Sequence, residues 1–368
     1  MRIAIDATPV VAKRKGIGVI LEGLISATQS GSLLTPAIIL VDQSFQDEAK
    51  KIWPGRDVRG VRMRSSLVWE TIDLPRLAAR EKIDVLLTAR DRTVVGGKAK
   101  TLVWLFEVPD HRTELLLAND QSRYRRFIAR ASLRRFRGIA KRVSRYIVSS
   151  EFTRGDLVDR YGGPNDRISS IYPGLLPVYF DRSSPFTPPE APYILHFATG
   201  DPRDNSDVAL RAFAQVVADP RVDARLVLAG VPGALRAPLE YRAAALGIAS
   251  RLTIHGYVSL EKMPELFGMA SAYFDPSLFE GFGMQILEAM ACGTPVVTSS
   301  VSSIPEIAGG AAVLRKPLDV NGFAKALTDL LTSEEQRKLL AEKGRERAST
   351  FKWEIAVPKL ESLLASMQ

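Results

Sequence analysis

The sequence predicts an α/β chain of two doubly wound domains facing a cleft, on three observations. Short apolar runs alternate with amphipathic stretches of helical length from end to end. That alternation marks parallel sheets covered by helices on both faces. The runs fall into two series, separated by a proline-rich stretch. At 368 residues, the chain is long enough for each series to bury its own core.

The first series of expected strands is Arg2–Asp6, Ala37–Leu40, Asp84–Ala89, Thr101–Phe106 and Arg145–Ser150. The second is Tyr193–Thr199, Ala224–Gly230, Arg251–Gly256, Ala272–Ser277, Pro295–Ser300 and Ala311–Arg315. Between them, Asp181–Pro192 carries four prolines in twelve residues. Such a stretch joins neither a helix nor a central strand, so it is expected to be a linker. The domains are placed at 1–183 and 187–350. Ligands of doubly wound sheets bind beyond the carboxyl ends of the strands, so chemistry is expected just after a strand.

Composition narrows the class. The chain is 46% hydrophobic and 25% charged, as in a globular protein. Its one cysteine, Cys292, excludes an internal disulfide framework and suits a reducing, cytoplasmic setting. It is expected to pack inside a helix rather than react. The opening MRIAIDATPVV has a strand pattern, not that of a secretion leader, and no window approaches the ~20 apolar residues of a membrane span. The net charge is +9, and Arg123–Arg145 is rich in arginine without one acid. Phe127, Ala131, Leu133, Phe136, Ile139, Ala140 and Val143 recur there at helical spacing, which predicts a basic amphipathic helix. Such a helix is either a solvated face or a contact for an acidic membrane surface or acidic acceptor. Nucleic acid is not expected, because no nucleic-acid-binding motif accompanies the charge.

The chemistry-bearing stretch is FEGFGMQILEAMACGTP, Phe279–Pro295. Glu280 follows an expected strand, and Gly281 and Gly283 open an expected helix. Glycines let backbone N–H groups approach a ligand, and a helix N-terminus favours anionic or hydroxyl-rich groups. Glu288 lies eight positions on, about 12 Å at helical rise. Two carboxylates at that separation suit the hydroxyls at the two ends of a nucleotide sugar. The plainer alternative makes Glu280 a helix cap and leaves Glu288 exposed. The three histidines, His111, His196 and His255, show no metal-ligand spacing. His196 and His255 fall in strand-like runs and are expected to be core residues.

Around these residues, GYVSLEKMPELFGMASAYFDPSLFEGFGMQILEAMACGTPVVTSSVSSIPEIAGGAAVLRKPLD resembles the donor-binding half of retaining GT-B-fold glycosyltransferases, glycosyltransferase family four. RIAIDATPVVAKRKGIGVILEGL is similar to that family's first strand and glycine-rich loop, and YILHFATGDPRDNSDVALRAF to the first unit of its second domain. The resemblance implies two Rossmann-like domains, with the first, 1–183, taking the acceptor and the second, 187–350, the nucleotide-sugar donor. It also implies that the last segment, 353–368, packs back on the first domain. By the same resemblance, Glu280 contacts the donor sugar near the reacting carbon, and the amides of Phe282, Gly283 and Met284 line the sugar and phosphate. Glu288 holds the ribose, and the backbone at Tyr257 and Val258 faces the base. Gly16 and Gly18 form a loop over the diphosphate, and Arg203 serves the diphosphate itself.

Two positions depart from the family. Its usual His-Asp pair reads Phe106-Glu107, so a 6-deoxy donor sugar packing on Phe106, or His111 acting as substitute, is expected. Glu107 keeps an acid at the second position. The family's Arg-Lys-Asn reads Arg203-Asp204-Asn205, which sets an acid where a diphosphate is expected. Asp204 must then point away or the leaving group is held differently, with Arg203, Lys13, Arg14 or Lys15 compensating. No DxD triplet is present, so no metal and no cofactor are expected. The function implied is transfer of a hexose or 6-deoxyhexose, with retention, to a saccharide, lipid-linked or natural-product hydroxyl. The alternative is a non-catalytic nucleotide-sugar-binding subunit that supports a partner transferase.

Overall fold

A computed structural model describes residues 1–11, 16–28, 31–89, 99–109, 113–114, 123–181 and 191–368. Two compact units divide the chain. The first comprises Met1–Gly174 with Phe351–Gln368, and the second Leu175–Thr350.

The first unit holds a seven-stranded sheet: β1 (Ile3–Asp6), β2 (Ile38–Asp42), β3 (Asp57–Val61), β4 (Val85–Thr88), β5 (Lys100–Leu105), β6 (Arg145–Val148) and β7 (Ile168–Ser170). The order is β3-β2-β1-β4-β5-β6-β7, and every pairing is parallel. Winding therefore reverses between β1 and β4. Strands buried on both faces read as continuous apolar runs, as β1, β2 and β4 do. The edge strands β3 and β7 lie outside the sequence-based set. In β3 (DVRGV) only Val58 is buried, so its sequence carries no apolar run.

The second unit holds six strands: β8 (Tyr193–Phe197), β9 (Arg225–Ala229), β10 (Leu252–Ile254), β11 (Ala272–Asp275), β12 (Val296–Ser299) and β13 (Val313–Arg315). The order is β10-β9-β8-β11-β12-β13, all parallel, so winding reverses between β8 and β11. Helices Ser206–Val216 and Val320–Thr332 bury Phe213 and Phe323 in the same core as Phe274 of β11. Phe274 and Phe323 lie 5.0 Å apart. Each buried aromatic of this kind contributes ~1.5–3 kcal/mol.

The C-terminal helix, Trp353–Ala365, belongs to the first unit. Trp353 is 3% exposed and sits against Gly23 and Gly174. A Cβ at Gly23 would meet the Trp353 indole nitrogen at 2.5 Å, so no larger residue fits there.

The basic segment forms the helix Arg123–Ala140, and Arg145 already starts β6. Phe136, Ile139 and Ala140 are buried, but Phe127 is 68% exposed. The sequence had placed Phe127 on the apolar stripe. Among the described side chains, burial starts toward the helix C-terminus, where Phe136 meets Tyr161 edge-on at 4.6 Å and the Arg137 guanidinium lies over the same ring.

Candidate functional site

The best-defined site is the carboxyl edge of the second sheet, where winding reverses. The loop after β8 runs from Ala198 to Asn205, and the loop after β11 from Pro276 to Gly283. These are the two loops that a doubly wound sheet brings together at its switch point.

The β8 loop is folded on its own aspartates. Asp204 Oδ2 accepts from Thr199 N (2.6 Å), Thr199 Oγ1 (2.9 Å) and Gly200 N (3.1 Å). The acid that stands where a lysine was expected thus turns back onto its loop. Partial burial pushes its carboxyl up to about 6, although the three donors favour the charged form. Arg203 is gripped at two points by Asp201, Nε to Oδ1 and Nη2 to Oδ2, each 3.1 Å. Its carbonyl accepts from Leu278 N at 2.9 Å, which ties this loop to the one after β11. Asn205, at φ 54°, adds a second tie by donating to Pro276 O and Pro317 O, both at 2.9 Å.

The β11 loop positions Glu280. Asp275 ends the strand, and its Oδ1 accepts from Ser277 N at 3.3 Å and Ser277 Oγ at 2.5 Å. Ser277 Oγ is also 3.1 Å from Glu280 Oε1. One hydroxyl proton serves only one of these carboxyls. Burial raises the Asp275 pKa, opposed by the hydrogen bonds it accepts from Ser277. Glu280 N donates to Ser302 Oγ (2.9 Å), and Glu280 O accepts from Ser303 Oγ (2.8 Å). The acid is therefore fixed at both backbone groups and one carboxyl oxygen. It does not cap the helix: the cap is Gly283, at φ 94°, with no side-chain cap bond. Phe282 is buried, and helix Met284–Cys292 begins at the next position but one.

Glu288 lies within that helix and is 6% exposed, so the exposed alternative is wrong. Burial raises its carboxyl to about 7, opposed by a hydrogen bond with the Tyr179 hydroxyl. Tyr273, on β11, lies among the acids. Its hydroxyl is 3.4 Å from Asp275 Oδ2 and 3.3 Å from Gln285 Oε1. Burial first, then the charges of Asp275, Glu280, Glu288 and Asp204, hold it well above the ordinary tyrosine value. Cys292 is half-buried at the end of the helix, its Sγ 3.9 Å from Tyr179 O.

His196 is the buried core histidine expected: Nδ1 meets Phe274 O and Nε2 meets Ser206 Oγ, each at 3.0 Å. Burial lowers its pKa to about 4, so the ring is neutral and joins β8, β11 and the following helix. His255 is not a core residue. It is exposed at the end of β10, because this edge strand is only half-buried. Tyr257 is 48% exposed and Val258 half-buried in the loop after β10, two strands from the switch point.

The first unit carries the remaining expected residues. Gly16, at φ 53°, precedes helix Ile17–Ala27, and Gly18 packs so closely that a Cβ would meet Pro9 O at 2.6 Å. Phe106 stacks on Trp104 at 5.8 Å, and its carbonyl accepts from Ser149 and Thr153 hydroxyls, both at 3.2 Å. Glu107 is half-buried in the bend that follows. His111, Lys13, Arg14 and Lys15 lie outside the described residues, as does most of the proline-rich divider. Among the described residues no group of three or more His, Cys, Asp or Glu side chains is placed to hold a metal ion. None of the described helices is long and apolar enough to cross a membrane.

Thr199, Asp201, Ser277, Ser302, Ser303 and Tyr179 are the residues that sequence reasoning missed. Ser277 had a local signal, since Asp-x-Ser after a strand favours a side-chain turn. The others are brought in by tertiary packing.

The two parallel sheets with their covering helices have the GT-B fold. Over the whole chain the fold matches sucrose-phosphate synthase from Thermosynechococcus elongatus, with TM-score 0.75, 18% identity and 100% and 98% of the two chains covered. It also matches Anabaena Alr3699/HepE, solved in complex with UDP and glucose, with TM-score 0.73, 18% identity and 99% of each chain covered. Residues 180–347, nearly all of the second unit, match the family model of glycosyl transferases group 1. In sequence, the chain is 32% identical over 216 residues to the O-antigen chain mannosyltransferase B of Escherichia coli. That match covers 56% of each chain, so it spans little more than half of the relative.

Proposed function

We propose that the chain is a retaining glycosyltransferase that uses a nucleotide-diphosphate sugar without a metal ion. One observation carries the reading: Glu280 is fixed by Ser277, Ser302 and Ser303 at a sheet switch point, beside a glycine-capped helix N-terminus whose first turns bury Glu288. Glu280 takes the donor sugar's hydroxyls near the reacting carbon, and Glu288 takes the ribose. The amides of Phe282, Gly283 and Met284, the helix N-terminus and Arg203 meet the charge that develops on the departing diphosphate. Arg203 does so by exchanging part of its pair with Asp201. The backbone at Tyr257 and Val258 takes the base, and Gly16 and Gly18 the diphosphate.

The bond from the sugar's anomeric carbon to the diphosphate oxygen breaks, and the acceptor oxygen bonds to that carbon on the same face. The acceptor's proton passes to the departing diphosphate, so no protein nucleophile is needed. The donor is a hexose or 6-deoxyhexose, with Phe106 against its sixth carbon and Glu107 or His111 beside it. The acceptor is a saccharide, a lipid-linked saccharide or a natural product. The solved neighbour bound to UDP and glucose, and the mannosyltransferase relative, support this substrate class.

The test is nucleotide release from a panel of nucleotide sugars, with and without saccharide acceptors. One donor is expected to turn over, and Glu280→Gln to slow it about 10- to 100-fold, the loss of a hydrogen bond to a charged group. No release from any donor, with or without acceptor, refutes the reading.

A further inference from the structure

Away from the donor-side edge, the first unit has an open cleft of about 870 Å³ between the end of β3 and the helical stretch that follows it. It is lined by Arg62 and Arg64, just after β3, by Arg76 and Arg80 of the helix Leu74–Arg80, and by Trp69. Asp73 is the one acid among the lining residues, so four guanidiniums face one carboxylate. Arg80 meets Glu81 at 3.3 Å, with its side chain 75% exposed. Arg62, Arg64 and Arg76 make no ion pair with any described residue. Three guanidiniums without an ion pair among the described residues, around a concave surface, repel one another, and an anion relieves that cost.

The cleft is joined to the sheet's own switch point. The Trp69 indole donates to Asp6 Oδ2 at 3.4 Å, at the end of β1. The same oxygen accepts from Thr88 Oγ1 at 3.2 Å, at the end of β4. Of the buried acids nearby, Glu70 accepts from Ser66, and Asp6 from Thr8 and Thr88. A ligand seated over Trp69 thus lies on the carboxyl edge, where doubly wound sheets take ligands.

We infer that this cleft binds a phosphate group carried by a saccharide, making the acceptor of the proposed transfer a phosphorylated sugar. This deepens the transferase reading and rests on it for the word acceptor. The binding itself stands on the cleft alone. Guanidiniums grip phosphate oxygens at two points each, and a ring fits against Trp69. A concave cleft of this volume fits a discrete ligand better than a flat lipid surface.

The experiment measures binding to the full chain by calorimetry, using mannose 6-phosphate, mannose, inorganic phosphate and vesicles of acidic or neutral phospholipid. Mannose 6-phosphate is expected to bind, mannose at least 10-fold more weakly, and the affinity is expected to fall as salt rises. Arg62→Ala/Arg76→Ala is expected to weaken it at least 10-fold. The control Arg211→Ala/Arg236→Ala, on exposed helices of the other unit, leaves it unchanged. The nucleoside diphosphate that the wild type binds reports the fold, and its affinity stays within twofold in both variants. Equal affinity of Arg62→Ala/Arg76→Ala and wild type for mannose 6-phosphate overturns the inference. So does inorganic phosphate binding as tightly as the sugar phosphate, or capture by acidic vesicles alone through the same arginines. Should no nucleoside diphosphate bind, the transferase reading fails while the arginine comparison still decides the cleft, with melting temperature then reporting the fold.

Discussion

The two sheets share one strand order up to the last strand, yet their switch points are finished differently. In the first unit β1 ends in Asp6-Ala7-Thr8, and in the second β11 ends in Asp275-Pro276-Ser277. Both aspartates accept from the backbone N–H and hydroxyl two residues on. Asp6 is then ringed by the Thr88 hydroxyl and the Trp69 indole. At Asp275 the serine continues to Glu280, and Tyr273 stands among four carboxyls. The same local turn therefore closes one edge with neutral donors and opens the other into an acid-lined site. Strand order alone does not distinguish the two edges; the side chains after the strands do.

The largest effect that separates the edges is the pH response of Glu288. Burial raises its carboxyl from the ordinary value near 4.5 to about 7, so the folded state binds this proton more tightly than the unfolded chain. The stability so gained is complete below about pH 4.5 and is lost as pH rises through about 7. Asp204, raised to about 6, adds in the same direction. Against Glu288→Gln, the wild type is expected to lose about 3 kcal/mol over that window, read by denaturant titration at each pH. Parallel curves for the two proteins would show that Glu288 is not held in this way.

A smaller effect tests the helix opening. Gly283 has φ 94°, and a Cβ there would lie 3.2 Å from Ile286 Cδ1. Gly283→Ala is expected to cost about 1–2 kcal/mol and to lower the melting temperature by several degrees. An unchanged melting temperature would mean that the loop has another conformation open to it.

The second sheet was legible from sequence because its strands are unbroken apolar runs between helices with good stop signals, such as Gly293 and Pro295. The resemblance added the roles of Glu280 and Glu288 there. The first sheet lost β3 and β7, because DVRGV and ISS carry no apolar run. The support of Glu280 was illegible, since Ser302 and Ser303 reach it only once β12 lies beside β11. So was the arginine cleft: Arg62 and Arg64 follow a strand, Arg76 and Arg80 lie on a helix, and nothing in their spacing joins the pairs. Asp204 read as a loss, and its three bonds to Thr199 and Gly200 turn it into the loop's own clasp.

The central claim is that a donor nucleotide is anchored through Glu288 at the second sheet's edge and not through the Asp6–Thr8 turn of the first. Thermal unfolding of the full chain with UDP, GDP, ADP and TDP tests it most directly. At 100 times its Kd, one of these is expected to stabilise the wild type by about 2.7 kcal/mol. Glu288→Ala should lose that gain, whereas Thr8→Ala should keep it. No stabilisation by any diphosphate, or an equal gain in Glu288→Ala and Thr8→Ala, would contradict the account.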